Sequence, residues 1–188
     1  FSLFDETFME ELSKMKEKNV AMELLKRLLK EKIKKTKRQN VVQSEKFSDM
    51  LNDALNQYLK GMLTNEEVIK ELIELAKKIK EEEKAGEKLG LNEQEKAFYD
   101  ALAKPSVVAG LYTDEQFIAF AKELTEVLRK NRTIDWRHKE AGKAQMRVLI
   151  KRQLKKHGYP PEGKQEALDY VMAQCDSWAD NEDNITED

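Results

Sequence analysis

The sequence predicts an all-α protein, an irregular bundle of roughly seven to nine helices. Three observations carry that expectation. Apolar residues recur at helical spacing through nearly every segment. Gly and Pro number only 7 and 3 in 188 residues, which leaves little material for tight hairpins. No stretch sustains period-two alternation of β-branched residues, and GLYT and KPSVVAG are too short to build a sheet.

The elements follow in order. Val20, Leu24, Leu25, Leu28, Leu29 and Ile33 form the stripe of a first long helix. Phe47, Met50, Leu51, Leu55, Tyr58 and Leu59 form a second, with Gly61 as its stop. Thr64 and Glu67 make a capping box that opens a long helix carrying Val68, Ile69, Leu72, Ile73, Ala76 and Ile79 on one face. That helix loses its stripe in KEEEKAGEK, predicting a solvated extension or a bend near Gly86. Asn92 caps a short helix that ends before Pro105, because a residue preceding proline avoids the helical region. Thr113 and Gln116 make a second capping box, ahead of Phe117, Phe120, Leu124 and Leu128. Asp135 is positioned to cap a helix running to about His157, with Gly158 as its stop. Pro160 and Pro161 then open the last helix, whose stripe is Leu168, Val171, Met172, Cys175 and Trp178. Residues 1–85 are expected to form an N-terminal helical subdomain and 86–180 a C-terminal one containing a basic helix. Residues 181–188 are expected to be a disordered acidic tail.

Composition excludes several classes. Cys175 is the only cysteine, so no intrachain disulfide can form, and a cytoplasmic location is expected. No apolar run approaches the ~20 residues needed to span a membrane, and no signal-peptide pattern opens the chain. The missing initiator Met and the polar end, NEDNITED, suggest a piece of a longer polypeptide. Net charge is −2, so any nucleic-acid contact must come from local charge rather than bulk charge.

Gly158 through Lys164 reads G-x-x-x-x-G-K, one residue short of a P-loop. A P-loop works by aiming backbone N–H groups at phosphate. Here Pro160 and Pro161 delete two of them, Glu162 adds negative charge, Gln165 replaces the Mg²⁺-binding hydroxyl, and a lysine-rich helix replaces the preceding strand. A turn between helices is the better reading. His138, His157 and Cys175 lack metal-ligand spacing, and no nucleophile motif is present. No catalytic, cofactor-binding or metal-binding residue is therefore assigned.

Charge is the strongest chemical feature. Lys139, Lys143, Arg147, Lys151 and Lys155 fall at i, i+4 steps, with Arg132 and Arg137 just before them. A second cluster contains Lys34, Lys35, Lys37 and Arg38. The functional reading is a surface for DNA phosphates or for an acidic protein partner; the alternative is a solvated face balanced by acidic neighbours. No aromatics interleave with the lysines, so sequence-specific base stacking is not expected. Trp136 is either a buried core residue or an interface anchor.

LRKNRTIDWRHKEAGKAQMRVLIKRQLKKHGYPPEGKQEALDYVMAQ resembles the end of the R subunit, motor and endonuclease, of type I restriction–modification enzymes. EEVIKELIELAKKIKEEEKAGEKLGLNEQEKAFYDAL and KKTKRQNVVQSEKFSDMLNDAL also resemble that family's carboxy-terminal helical region. The resemblance extends from about residue 20 to 180. It implies a parent chain whose nuclease and motor domains bind ATP and Mg²⁺, translocate DNA and cut it. It implies that this region docks those domains onto the modification (methyltransferase) and specificity subunits. No family catalytic motif falls on these residues, so the chain itself is expected to be non-enzymatic and, alone, monomeric. A clamp on the DNA backbone formed by the basic helices is the alternative function.

Overall fold

The computed structural model describes residues 5–132 and 136–186, with side chains as far as residue 180. It is all-α: 84% helical, with eight α-helices and no strand among the described residues. The chain divides into two compact units. The first comprises Phe1–Lys37 and Gln43–Ala85, the second Arg38–Val42 and Gly86–Asp188.

The first unit is built on α1 (Glu6–Lys14), α2 (Lys18–Gln39), α3 (Val41–Leu59) and α4 (Asn65–Lys88). The Asp5 carboxylate starts α1 by accepting the Thr7 amide at 3.0 Å. Thr64 starts α4 as predicted, its hydroxyl accepting the Glu67 amide while Glu67 accepts the Thr64 amide, each at 3.2 Å. The core is almost wholly aliphatic. Leu25, Leu29 and Ile33 of α2 meet Leu51 of α3 and Leu72, Leu75 and Ile79 of α4, with Phe47 the one buried aromatic among the described residues. Each such side chain contributes about 1.5–3 kcal/mol when fully buried. Lys32 pairs with Glu83 at 2.5 Å and Lys46 with Glu82 at 3.9 Å, linking α2 and α3 to α4 at the surface.

Two expectations need correction here. Val20, in the first turn of α2, is 49% exposed and lies off the core stripe. Leu59, in the last turn of α3, is 78% exposed, because the chain turns away at Gly61 before another helix can cover it. The far end of α4 runs on as a largely solvated extension to Lys88 and closes through Gly90, whose φ of +72° favours glycine.

The second unit contains α5 (Glu93–Ala103), α6 (Asp114–Asn131), α7 (Glu140–Lys156) and α8 (Lys164–Thr186), with short 3-10 turns at Ser106–Val108, Trp136–His138 and Pro161–Gly163. The packing closes on itself: α5 touches α6 and α8, and α7 touches the same two helices. The predicted capping box forms at Thr113/Gln116, and Asn92, predicted as a cap, makes a further box with Glu95. Its core is aromatic. Phe120 stands edge-on to Phe117 and Tyr159, both at 6.2 Å, and stacks on the His157 ring at 4.2 Å. Tyr159 donates its hydroxyl proton to the Leu102 carbonyl at 2.6 Å, and burial raises its pKa. Trp178 is half-buried rather than enclosed, with Phe98 at 5.0 Å.

Residues 38–42, the corner between α2 and α3, belong to this unit and are held by polar groups. Fully buried Gln174 accepts the Val41 amide at 2.9 Å and donates to the Gln39 carbonyl at 3.3 Å. Asn40 donates to Asp100 at 2.7 Å, and Lys96 neutralises the same carboxylate. These bonds replace the helical partners that the corner residues lack.

The region around α7 departs from expectation. Asp135 lies outside the described residues. The helix begins at Glu140, after the Trp136–His138 turn, with Lys139 as a cap that makes no side-chain bond. Gly142 explains the tight join: a Cβ there would lie 2.4 Å from the Trp136 carbonyl oxygen. The end of α7 is as predicted. Tyr159 N–H reaches the Leu154 carbonyl at 2.9 Å and Gly158 N–H the Lys155 carbonyl at 3.1 Å, a Schellman closure around Gly158. The prolines open a 3-10 turn, and α8 itself starts at Lys164. Gly163 is pressed against Val107, Pro105 and Tyr159, which fixes that turn. At its far end α8 continues to Thr186, through most of the acidic stretch.

Candidate functional site

The P-loop resemblance dissolves in the geometry. Gly158 is the left-handed stop of α7, at φ +66°, and Gly163 is buried beneath the Pro105–Val108 turn. Neither position offers a cradle of free amides. Among the described residues no three His, Cys, Asp or Glu side chains gather to hold a metal. Cys175 is buried on α8, and burial pushes its thiol up to about 12, so it stays protonated and packs as a small hydrophobe. Among the described residues no helix is long and apolar enough to cross a membrane.

The basic residues remain. Met146, Ile150 and Leu154 bury one face of α7, with Leu149 half-buried beside them. Arg147, Lys151, Arg152 and Lys155 are exposed, and Lys143 is half-exposed at the edge of that face. Lys139 is exposed but lies outside the helix, so the helical ladder from Lys143 to Lys155 spans roughly 18 Å at ~1.5 Å per residue. Among the described residues no carboxylate pairs with any of these six cations. Like charges at i, i+4 cost a helix about 0.2–0.5 kcal/mol per pair, a cost left unrelieved here.

Other predicted positions are occupied differently. Trp136 is only 3% exposed and belongs to the core, which decides between its two readings. Arg137 is bound to Asp180 of α8 and is half-buried. Arg132 is exposed at the end of α6. On α2, Lys34, Lys35, Lys37 and Arg38 are all exposed, but the first three belong to one unit and Arg38 to the other.

At the end of α7 charge is balanced locally. Lys156 donates to Glu123 Oε1, and His157 Nε2 meets Oε2 of the same carboxylate. The Lys156 hydrogen bond, then that from His157, hold Glu123 below the usual carboxylate range, partly opposed by burial.

Sequence reasoning missed two features. Arg152 falls off the i, i+4 series and so escaped the ladder, although it shares the exposed face. Large apolar side chains also stand in water: Leu59 at 78% and Met62 at 70% exposed flank Gly61 in the first unit. The available signal was positional, since apolar residues either side of a helix-stopping glycine leave the stripe.

Exposed cationic and apolar side chains thus mark the described surface of this all-α chain. Its sequence assigns it more closely. The chain belongs to the family described as type I restriction enzyme HindI endonuclease subunit-like, C-terminal, which matches residues 1–181. One relative, the type I restriction enzyme HindI endonuclease subunit of Haemophilus influenzae strain Rd, is 42% identical over 115 residues, covering 61% of this chain. The match covers only 11% of that relative's length. No solved structure matches significantly.

Proposed function

We propose that this chain is an assembly domain, docking the ATP-dependent translocase and endonuclease parts of an R subunit onto the methyltransferase–specificity core. Family membership supplies the setting, because the chain corresponds to the C-terminal region of an endonuclease subunit. The exposed pair Leu59 and Met62 carries the reading: two large apolar side chains beside one glycine turn are suited to anchor a partner. On this reading the chain performs no catalysis, ATP and Mg²⁺ are bound elsewhere in the parent subunit, and the complex works in the cytoplasm.

Competition tests it. The chain added in excess to a complete type I enzyme is expected to displace the R subunit and to suppress ATP-dependent DNA cleavage. Further R subunit is expected to restore cleavage. Undiminished cleavage at saturating chain would contradict the docking role. ATPase or nuclease activity in the chain alone would contradict the non-catalytic one.

A further inference from the structure

We propose that the solvent face of α7, formed by Arg147, Lys151, Arg152 and Lys155 with Lys143 at its edge, binds the phosphate backbone of double-stranded DNA without reading its sequence. The proposal does not rest on the docking role.

The first support is the lack of neutralisation. The chain carries 36 acidic and 34 basic residues, so carboxylates are plentiful. Some cations elsewhere use them: Lys32, Lys46, Lys96, Lys130, Arg137 and Lys156 all have acidic partners. Along α7 the only acid is Glu140, in the first turn, and the exposed face from Arg147 onward has no acidic partner among the described residues. A run of unrelieved positive charge is the feature that a polyanion recognises.

What lies between the cations decides which polyanion. Ala141, Ala144 and Val148 occupy the centre of the exposed face, and Val148, at 44% exposure, is the largest of them. Protein interfaces are depleted of charge at their centre and anchored by aromatic or large apolar groups. This face offers no aromatic anchor, and its small apolar centre is bracketed by cations on both flanks. The absence of an aromatic also removes the stacking platform that single strands use. A duplex backbone fits what remains.

Geometry agrees. At ~100° per residue, Arg147, Lys151 and Lys155 advance by about 40° per step, and Arg152 lies roughly 140° around from Arg147. The cations thus flank both sides of the helix. An α-helix with side chains is about 10–12 Å across, close to the ~12 Å width of the major groove, so cations on its two flanks can reach phosphates of both strands. Backbone contacts of this kind position a protein without specifying bases.

Fluorescence anisotropy of the 188-residue chain with a labelled duplex of roughly two helical turns provides the test. Binding is expected, equal for two unrelated sequences, with log affinity falling linearly with log salt. The quadruple variant R147Q/K151Q/R152Q/K155Q is expected to bind at least about tenfold more weakly and to lose about 0.9 of that slope per cation removed. Glutamine at exposed helical positions preserves propensity, so circular dichroism should be unchanged. No binding at low salt, strong preference for one sequence, or a quadruple variant with unchanged affinity and slope would each overturn the proposal. Binding to the DNA-free methyltransferase–specificity core is expected to survive the quadruple substitution. Loss of core binding with DNA binding intact would make α7 a protein surface instead, whereas failure of docking alone leaves the DNA contact standing.

Discussion

The two units solve the same packing problem with different chemistry. The first interleaves long amphipathic helices through Leu, Ile, Val and Met, with Phe47 as its lone buried ring among the described residues. The second has longer connections and a core centred on Phe120, Tyr159, Phe98 and Trp136, reinforced by buried Gln174 and Asp100. Aliphatic stripes tolerate small adjustments of neighbouring helices. Edge-on rings and side chains that bond a distant backbone fix one arrangement. The second unit should therefore be the less tolerant of substitution.

Both tryptophans lie in the second unit, so their fluorescence reports on it alone while far-UV circular dichroism reports on both. The largest expected effect is Phe120→Ala, which removes the ring that Phe117, Tyr159 and His157 surround and should cost about 3–5 kcal/mol. Its signature is a lowered denaturation midpoint in tryptophan fluorescence. Gly142→Ala comes next. The new methyl meets the Trp136 backbone, and the overpacking should cost about 1–3 kcal/mol, again seen by fluorescence. Gln174→Leu retains volume but strands the Val41 amide and the Gln39 carbonyl, at roughly 1–3 kcal/mol. Faster hydrogen exchange at Val41 would identify that cause. Caps should level the two units: Thr64→Ala and Thr113→Ala each remove one hydroxyl acceptor, at about 1 kcal/mol. A markedly larger loss at Thr113 would sharpen the contrast, and equal losses would confine it to the cores.

The smallest effect is one of pH. Glu123 has a lowered folded-state pKa, so its contribution is complete above the ordinary carboxylate value and disappears as pH falls through the lowered one. Urea denaturation of the parent chain and Glu123→Gln should differ near neutrality and converge in acid. A stability difference that grows on acidification would have the wrong sign.

Local devices were readable from sequence. The capping boxes at Thr64, Asn92 and Thr113 need only residues three apart, and Gly61 and Gly158 mark helix ends whose bonds are equally local. What escaped reading is long-range. Gln174 bonds a backbone amide 133 positions away, and nothing in its neighbourhood signals that. The turn before α7 was hidden for the same reason, since Gly142 matters only once Trp136 packs against it. In the candidate site, the i, i+4 ladder marked the basic helix but not its exposed face. Tertiary pairing withdrew Arg137, and helix rotation brought in Arg152. Leu59 was assigned to a core stripe because periodicity cannot show where the covering helix ends.

The assembly reading is tested most directly by sedimentation velocity of the chain mixed with the DNA-free methyltransferase–specificity core. The parent chain should co-sediment with the core, and Leu59→Ser/Met62→Ser should sediment alone while keeping its helical circular dichroism. A parent chain that sediments alone across a wide concentration range, or a double variant that still co-sediments, would contradict docking through that corner.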